Sequence, residues 1–490
     1  MKRIWIATIG FILLFALLMA IRMDICALLF SKEQPAGHIA SETLHGTDTW
    51  KNLFLKDQKI GYAHSVLSKQ NTGYRMDETL FMTINVMGFS QEIKMTTTAE
   101  LKPDLTLLSF DFNLNSGRFA FTAAGKLTTE NILEIETNIS GSPQKMEIKL
   151  EHPAHLTGGI LNAAAREFKH TGKKQFTYYI FDPATMSQEP VIVKIIGDEK
   201  IIHRGHVTKT TKLTIHFKGA EQSAWMDENE EIIKETGLLG LTLVKTSKKD
   251  ALSEVSGTRL QDITEIASVP ANFKIKTPRR AAYLKIKLGG INTDNLYLNG
   301  GRQVLDKNIL TITRETLTDF TKTVAPADSD ELTPFLEPEP FIQSDHPDIS
   351  KRAQTIISTD DPPFKKGKKL VKWVFKNIEK RPVLSIPDAL STLNNRIGDC
   401  NEHAVLLAAL ARSAGIPAKI ESGLVYLRGR FYYHAWNLLY VGKWITADAV
   451  FGQMPADATH IRFASGNPES QLDLIPVIDK VKITVLDAGY

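Results

Sequence analysis

Three residues near the C-terminal end of the chain could do covalent chemistry together. Cys400 sits in the run Gly398-Asp399-Cys400-Asn401-Glu402-His403-Ala404, His434 in Tyr433-His434-Ala435-Trp436-Asn437, and Asp448 in Trp444-Ile445-Thr446-Ala447-Asp448-Ala449. A thiol, an imidazole and a carboxylate in that order supply a nucleophile, a base and an orienter. The chemistry would be acyl transfer. Sulfur attacks an amide carbonyl, a thioester forms, and the imidazole passes the thiol proton to the leaving amine.

The elements around these residues must bring them together. Asp399 and Glu402 ahead of an apolar run form a capping-box signature, which puts Cys400 in the first turn of a helix. Unpaired N–H groups and the helix dipole there favour negative sulfur, and a neighbouring imidazole favours it further, so a lowered thiol pKa is expected. Ala404 to Ala411 is apolar on every side, so this helix should be buried on all faces, and Gly415-Ile416-Pro417 ends it. Three strands are expected near 418–427, 431–440 and 444–449. On the second, His434, Trp436, Leu438 and Tyr440 share a face; on the third, Trp444, Thr446 and Asp448 do. If Val441-Gly442-Lys443 is a three-residue hairpin loop, Tyr440 pairs with Trp444 and His434 lies opposite Val450. Asp448 is then the diagonal neighbour of His434, at roughly 7–8 Å between backbones. A two-residue loop would send Asp448 to the other face.

Other residues could serve the same site. An oxyanion donor is worth about 3–4 kcal/mol, and the Cys400 backbone N–H is one candidate. Asn394 or Asn395 could be a second, with capping of a short helix as their simpler role. His403, three residues after Cys400, is within reach of the site and is read as packing or hydrogen bonding there. Trp436 and Trp444 are read as core or pocket wall. No H-E-x-x-H and no paired C-x-x-C occurs, so neither a metal nor a cofactor is expected.

Upstream, the period of the pattern changes. Ile349–Ser358, Lys365–Ile378 and Asp388–Asn394 read as helices, completing a catalytic unit over 348–490. The segment 324–347 carries five prolines among acids and reads as an extended linker. Before it, 270–323 reads as a small strand-rich unit, with Leu284–Leu288 and Ile309–Thr313 as strands. From about 45 to 265 the alternation is period two, as in Met146-Glu147-Ile148-Lys149-Leu150, and predicts a large antiparallel sheet domain with a short helix near Gly158–Lys169. Residues 31–45 read as a stalk. Within 1–30, Lys2 and Arg3 precede an apolar run from Ile4 to Ile21. That is just long enough to span a bilayer, so an uncleaved signal anchor is expected, with a cleaved signal peptide as the alternative.

Composition excludes little but is consistent. The 490 residues are 43% hydrophobic and 23% charged, with a formal charge of +4, which gives no ground for nucleic-acid binding. Only Cys26 and Cys400 are present, so no structural disulfide can form in the body of the chain.

The motifs at Gly398–Ala404, Leu410–Ala418, His434-Ala435-Trp436 and Trp444–Asp448 together resemble the bacterial transglutaminase-like superfamily over roughly 345–465. Gly452–Asp457 with His460-Ile461-Arg462 is also similar. The resemblance implies an α+β, papain-like core with Cys400, His434 and Asp448 as a triad, acting on an amide carbonyl by hydrolysis or transfer to an amine. The family's usual Asp-Pro-Thr is Asp448-Ala449-Val450 here. The expectation is a single-pass protein of the inner membrane with its catalytic unit outside the cytoplasm, acting on envelope proteins or peptides. A catalytically idle scaffold that binds a peptide or envelope polymer is the alternative. The β domain would be a substrate platform or a spacer.

Overall fold

The computed structural model describes residues 46–490 apart from 87, 118, 140–141, 219, 255–259, 317–330, 384–385 and 467. The anchor expected over 1–30 and the stalk over 31–45 lie outside the described residues. Among the described residues, no helix is long and apolar enough to cross a membrane. The chain divides into two compact units, with the boundary between Gln261 and Asp262.

The first unit is built by period-two alternation. In the strand Phe119–Leu127, Phe121, Ala123 and Gly125 are buried while Ala120, Thr122, Ala124 and Lys126 are exposed. Fifteen such strands form one sheet. Consecutive strands are neighbours from Thr47–Leu55 to Ser142–Lys149, and again from Ala154–His155 to Leu241–Thr246. The two runs meet where Thr47–Leu55 pairs antiparallel with Leu241–Thr246. The helix Thr157–Thr171 buries Ile160, Leu161 and Ala163–Ala165 and stops at Gly172, whose φ of 65° suits a residue without a Cβ.

The second unit packs helices on an antiparallel sheet. Pro347–Ile356, Pro363–Asn377 and Ala389–Asn395 surround the helix Cys400–Ser413, in which every residue from Cys400 to Arg412 is buried. That helix lies on the strands Ala418–Leu427 and Arg430–Tyr440. The sheet order is Val269–Pro270, Arg430–Tyr440, Ala418–Leu427, His460–Gly466, and Trp444–Ala447 pairs with Arg430–Tyr440. The three-residue loop is present: Tyr440 faces Trp444, and the Val441 N–H donates to the Lys443 carbonyl.

Two expected boundaries change. The strand unit of 270–323 is joined to the catalytic unit of 348–490, because Tyr283–Gly289 pairs with the C-terminal strand Lys482–Gly489 and Val269 pairs with Phe431. Pairing across some two hundred residues leaves no local trace in sequence. The segment 324–347 is also more than a linker where it is described. Phe341 and Ile342 are buried, Gln343 donates to Asp388, and Glu339 accepts from the Arg412 guanidinium at 2.6 Å. An apolar pair in the described part of this segment docks the chain on the core.

Gly423 shows how tightly the sheet is set. It pairs with His434 on one side and Arg462 on the other, and a Cβ there would lie 1.9 Å from the Ile461 carbonyl oxygen. Gly423→Ala is expected to push the His460–Gly466 strand aside and cost about 1–3 kcal/mol. Calorimetry of the full chain should show a lowered unfolding midpoint, and an unchanged midpoint would contradict this packing.

Candidate active site

The capping box forms as the spacing predicts. The Asp399 side chain accepts the Asn401 N–H at 2.9 Å, and Glu402 accepts the Asp399 N–H at 2.9 Å, so Cys400 opens its helix. Burial and the adjacent Glu402 push the Asp399 carboxyl well above the usual carboxylate range. Two buried acids side by side disfavour each other's ionisation, and the charge they keep opposes a negative sulfur. Asn437 fastens the helix to the sheet: its Nδ2 donates to the Ala404 carbonyl at 2.9 Å.

The sulfur lies against the next strand, where the backbone N–H of Ala435, the residue after His434, bonds it. The His434 Nε2 donates to the Asp448 Oδ2 at 2.9 Å, and its Nδ1 is buried with no hydrogen-bond partner. One imidazole nitrogen is therefore fixed by the carboxylate, and the other is free to take a proton. Phe451 and Trp436 lie over the ring, with centroids at 5.2 and 6.0 Å.

The expected low thiol pKa is corrected. Cys400 has no exposed surface, and burial pushes its thiol well up, with Asp399 adding to the effect and the Ala435 N–H opposing it. Desolvation outweighs the helix terminus when no solvent or substrate reaches the sulfur. The closed site thus holds a thiol, and no hydrogen bond joins it to His434 Nδ1. A substrate carbonyl can reach this sulfur only after some displacement of what covers it.

Asp448 reaches His434 by a different route from the one expected. The strand stops at Ala447, and Asp448 begins a turn closed by two backbone hydrogen bonds with Gln453. Its Oδ1 accepts the Val450 and Phe451 N–H groups at 2.7 and 2.9 Å. Val450 therefore does not face His434 across a ladder. Burial alone would raise the Asp448 carboxyl, but His434 and then His460 more than offset it and hold it well below the usual carboxylate range.

Sequence reasoning missed that second imidazole. His460 Nε2 donates to the same Asp448 Oδ2 at 2.9 Å, and its Nδ1 lies 3.3 Å from Asp457 Oδ1. Burial works against its charge, yet Asp457 and Asp448 raise it to about 9, while Asp457 is lowered to about 2. The ligand-type atoms of His434, Asp448 and His460 lie within 4.8 Å of one another. Their mutual hydrogen bonds account for the cluster, since each imidazole N–H already points at the carboxylate.

Buried ion pairs hold the surrounding strands. Trp436 Nε1 donates to Glu421 at 2.7 Å, and Arg462 donates to the other Glu421 oxygen at 3.0 Å. Arg302, from the smaller sheet, donates to the carbonyls of Ala456, Asp457 and His460 and so clamps the His460 loop. The segment holding His460 and Arg462 stood out by its resemblance to the family, but no local pattern showed that the turn at Asp448 would bring that carboxylate to His460.

The remaining predicted residues separate. His403 is buried, its Nδ1 donates to the Asp399 carbonyl at 2.6 Å, and burial followed by Lys380 lowers its pKa to about 3. Trp436 lines the site. Trp444 does not: it packs with Tyr440, Phe335 and the Lys419 ammonium, six residues along the strand from His434's level, about 20 Å away. Asn394 and Asn395 are exposed at the end of their helix, and Asn395 donates to Ser391, so neither stands beside the buried sulfur. The backbone N–H of Cys400 is the oxyanion candidate that stays in place.

The ion pair of His460 makes stability pH-dependent. A group with a raised folded pKa contributes fully below its unfolded value, near 6.5, and loses that contribution as pH rises through about 9. Native protein should lose on the order of 3 kcal/mol across this window relative to His460→Gln. Calorimetry from pH 6 to 10 measures the difference, and parallel curves would rule out the charged pair.

With this geometry in view, the comparisons can be stated. The model of the transglutaminase-like superfamily matches residues 350–449. No curated protein sequence matches the chain. Among solved structures, the chain is similar to a candidate cysteine protease from Cytophaga hutchinsonii at 18% identity and a TM-score of 0.29, covering 42% of this chain and 90% of that one. It is similar to a β-barrel-like protein from Brucella abortus, of a domain with no assigned function, at 10% identity and 0.33, covering 41% and 95%. A candidate protease from Parabacteroides distasonis matches at 11% identity and 0.20, covering 72% and 69%. Structural likeness at this level carries no argument, so the assignment rests on the family match and agrees with the resemblance read from the motifs: the C-terminal unit carries a domain of the transglutaminase-like superfamily.

Proposed function

We propose that this protein is a cysteine enzyme that cleaves or transfers an acyl group at an amide bond through a thioester on Cys400, with protease or amidase action favoured. The observation that carries this is the His434 ring, whose Nε2 is locked on Asp448 while its buried Nδ1 stays unpartnered on the strand that bonds the sulfur. That nitrogen is the position on the ring, not tied to Asp448, from which a proton could be taken up or given. His434 takes the thiol proton as sulfur attacks the carbonyl, the Cys400 N–H receives the oxyanion, and the proton leaves on the amine. Water or a second amine then opens the thioester.

The apolar run Ile4–Ile21 after Lys2 and Arg3 supports an inner-membrane anchor, with the enzyme outside the cytoplasm and envelope proteins or peptides as substrates. A reporter fused after Tyr490 tests that topology. The large sheet unit would serve as substrate platform or spacer.

One observation favours the idle scaffold instead: the thiol is fully buried, and burial holds it protonated. The two readings separate on turnover. Full-length protein is incubated with casein, with and without a dansyl-labelled amine. The native chain should release peptides or incorporate the amine, and Cys400→Ala and His434→Ala should each lose at least about 1,000-fold of that rate. Equal rates in native and Cys400→Ala protein would overturn the enzyme reading. Casein binding by both proteins with turnover by neither would favour the scaffold.

A further inference from the structure

We propose that His460 is a positioning residue of this site: held as an imidazolium between Asp448 and Asp457, it shares the Asp448 oxygen with His434 and sets the charge against which His434 exchanges its proton. The inference deepens the thioester reading and rests on it. Asp457 and His460 lie beyond residues 350–449, the segment that the family match covers.

His460 Nε2 lies 2.9 Å from Asp448 Oδ2, and Nδ1 lies 3.2 Å from the Asp457 carbonyl and 3.3 Å from its Oδ1. A carbonyl only accepts. Asp448 already meets three other donors: His434 Nε2 and the N–H groups of Val450 and Phe451. Asp457 meets the Thr459 N–H and hydroxyl on Oδ1 and the Gln453 amide on Oδ2. With so many donors neither carboxyl retains a proton. A neutral imidazole has one N–H and one lone pair, and here its lone pair would point at an oxygen whichever tautomer it took. Both ring nitrogens therefore carry protons, and the ring is fully buried between two carboxylates.

The effect on His434 follows. A lone Asp448 would place its whole charge on the His434 ring. The His460 cation takes part of that charge, so the His434 ring is oriented yet can release its proton to the leaving amine. Other charged or titratable groups around the pair are Arg279, which lies near Asp457 and Asp448, Lys380, which lies near Asp448, His403, Cys400, and Arg302 on the His460 backbone carbonyl. The acids Asp399 and Glu402 lie on the sulfur side. Every one of these is kept in His460→Gln, so a change in that variant reports the His460 charge.

The test uses full-length native protein, His460→Gln and Asp457→Asn. Histidine-selective nitrogen-15 NMR at pH 7 should show one ring with both nitrogens protonated, missing from His460→Gln. The alkaline limb of Cys400-dependent casein turnover should move up by about one pH unit in His460→Gln, which removes the cation outright. kcat should fall about tenfold with KM unchanged. A merely structural role would lower the unfolding midpoint and leave the alkaline limb in place. A neutral His460 ring at pH 7, or an unmoved limb in folded His460→Gln, overturns the proposal. Loss of the thioester reading looks different: no Cys400-dependent turnover occurs in native protein, and the positioning role falls with it, whatever charge the NMR gives His460.

Discussion

A buried carboxylate must be surrounded by donors or lose its charge, and the Asp448 side chain meets that demand with four. Hydrogen bonds to a charged group contribute about 1.5–3 kcal/mol each, so the set outweighs a desolvation cost of several kcal/mol. The rest of the site is arranged to supply these donors. The turn from Asp448 to Gln453 presents two backbone amides, one strand presents His434, and another presents His460. Removing any one would leave a lone pair in a dry interior, which explains why three separate elements converge on a single side chain.

That convergence has to be held mechanically. The strands carrying His434 and His460 flank Ala418–Leu427, and Gly423 lets them approach where a larger residue would collide with backbone. Glu421 ties Trp436 to Arg462 across the same three strands. The Arg302 guanidinium donates to the loop carbonyls of Ala456 and Asp457 and so adds to the strand pairing that joins its segment to the catalytic unit. Buried ionic groups of this kind add little net stability, and their value lies in admitting one arrangement of the strands.

Much of this was legible in the residues themselves. Asp399 and Glu402 announced the helix start, the unbroken apolar run announced a helix buried on all sides, and the three-residue loop after Tyr440 has the length that the pairing required. The failures share a cause. Trp444 lies on the expected face, but face membership says nothing of distance along a strand. Asn394 and Asn395 are near Cys400 in sequence, but they end one helix in solvent while the short strand Ile397–Gly398 carries the chain on to Cys400. Asp448 was placed on a strand because alternation continues through it, whereas its own carboxylate binds the next amides and turns the chain. The thiol was expected to be acidic because its helix position favours charge, and burial, which no local pattern reports, reverses the direction.

By itself the sequence determined which groups were available and the local geometry of each: a cysteine at a helix start, a histidine on a strand, a carboxylate after a short loop, and a long alternating region able to form a sheet. These follow from capping, periodicity and turn length, which act over a few residues. Only the tertiary structure decided that His460 and Asp457 join the site, that the last strand of the chain completes a sheet begun some two hundred residues earlier, and that the sulfur is shut away from solvent. Those outcomes depend on desolvation and on pairings between distant segments, and both are properties of the packed chain, carried by no single stretch of it.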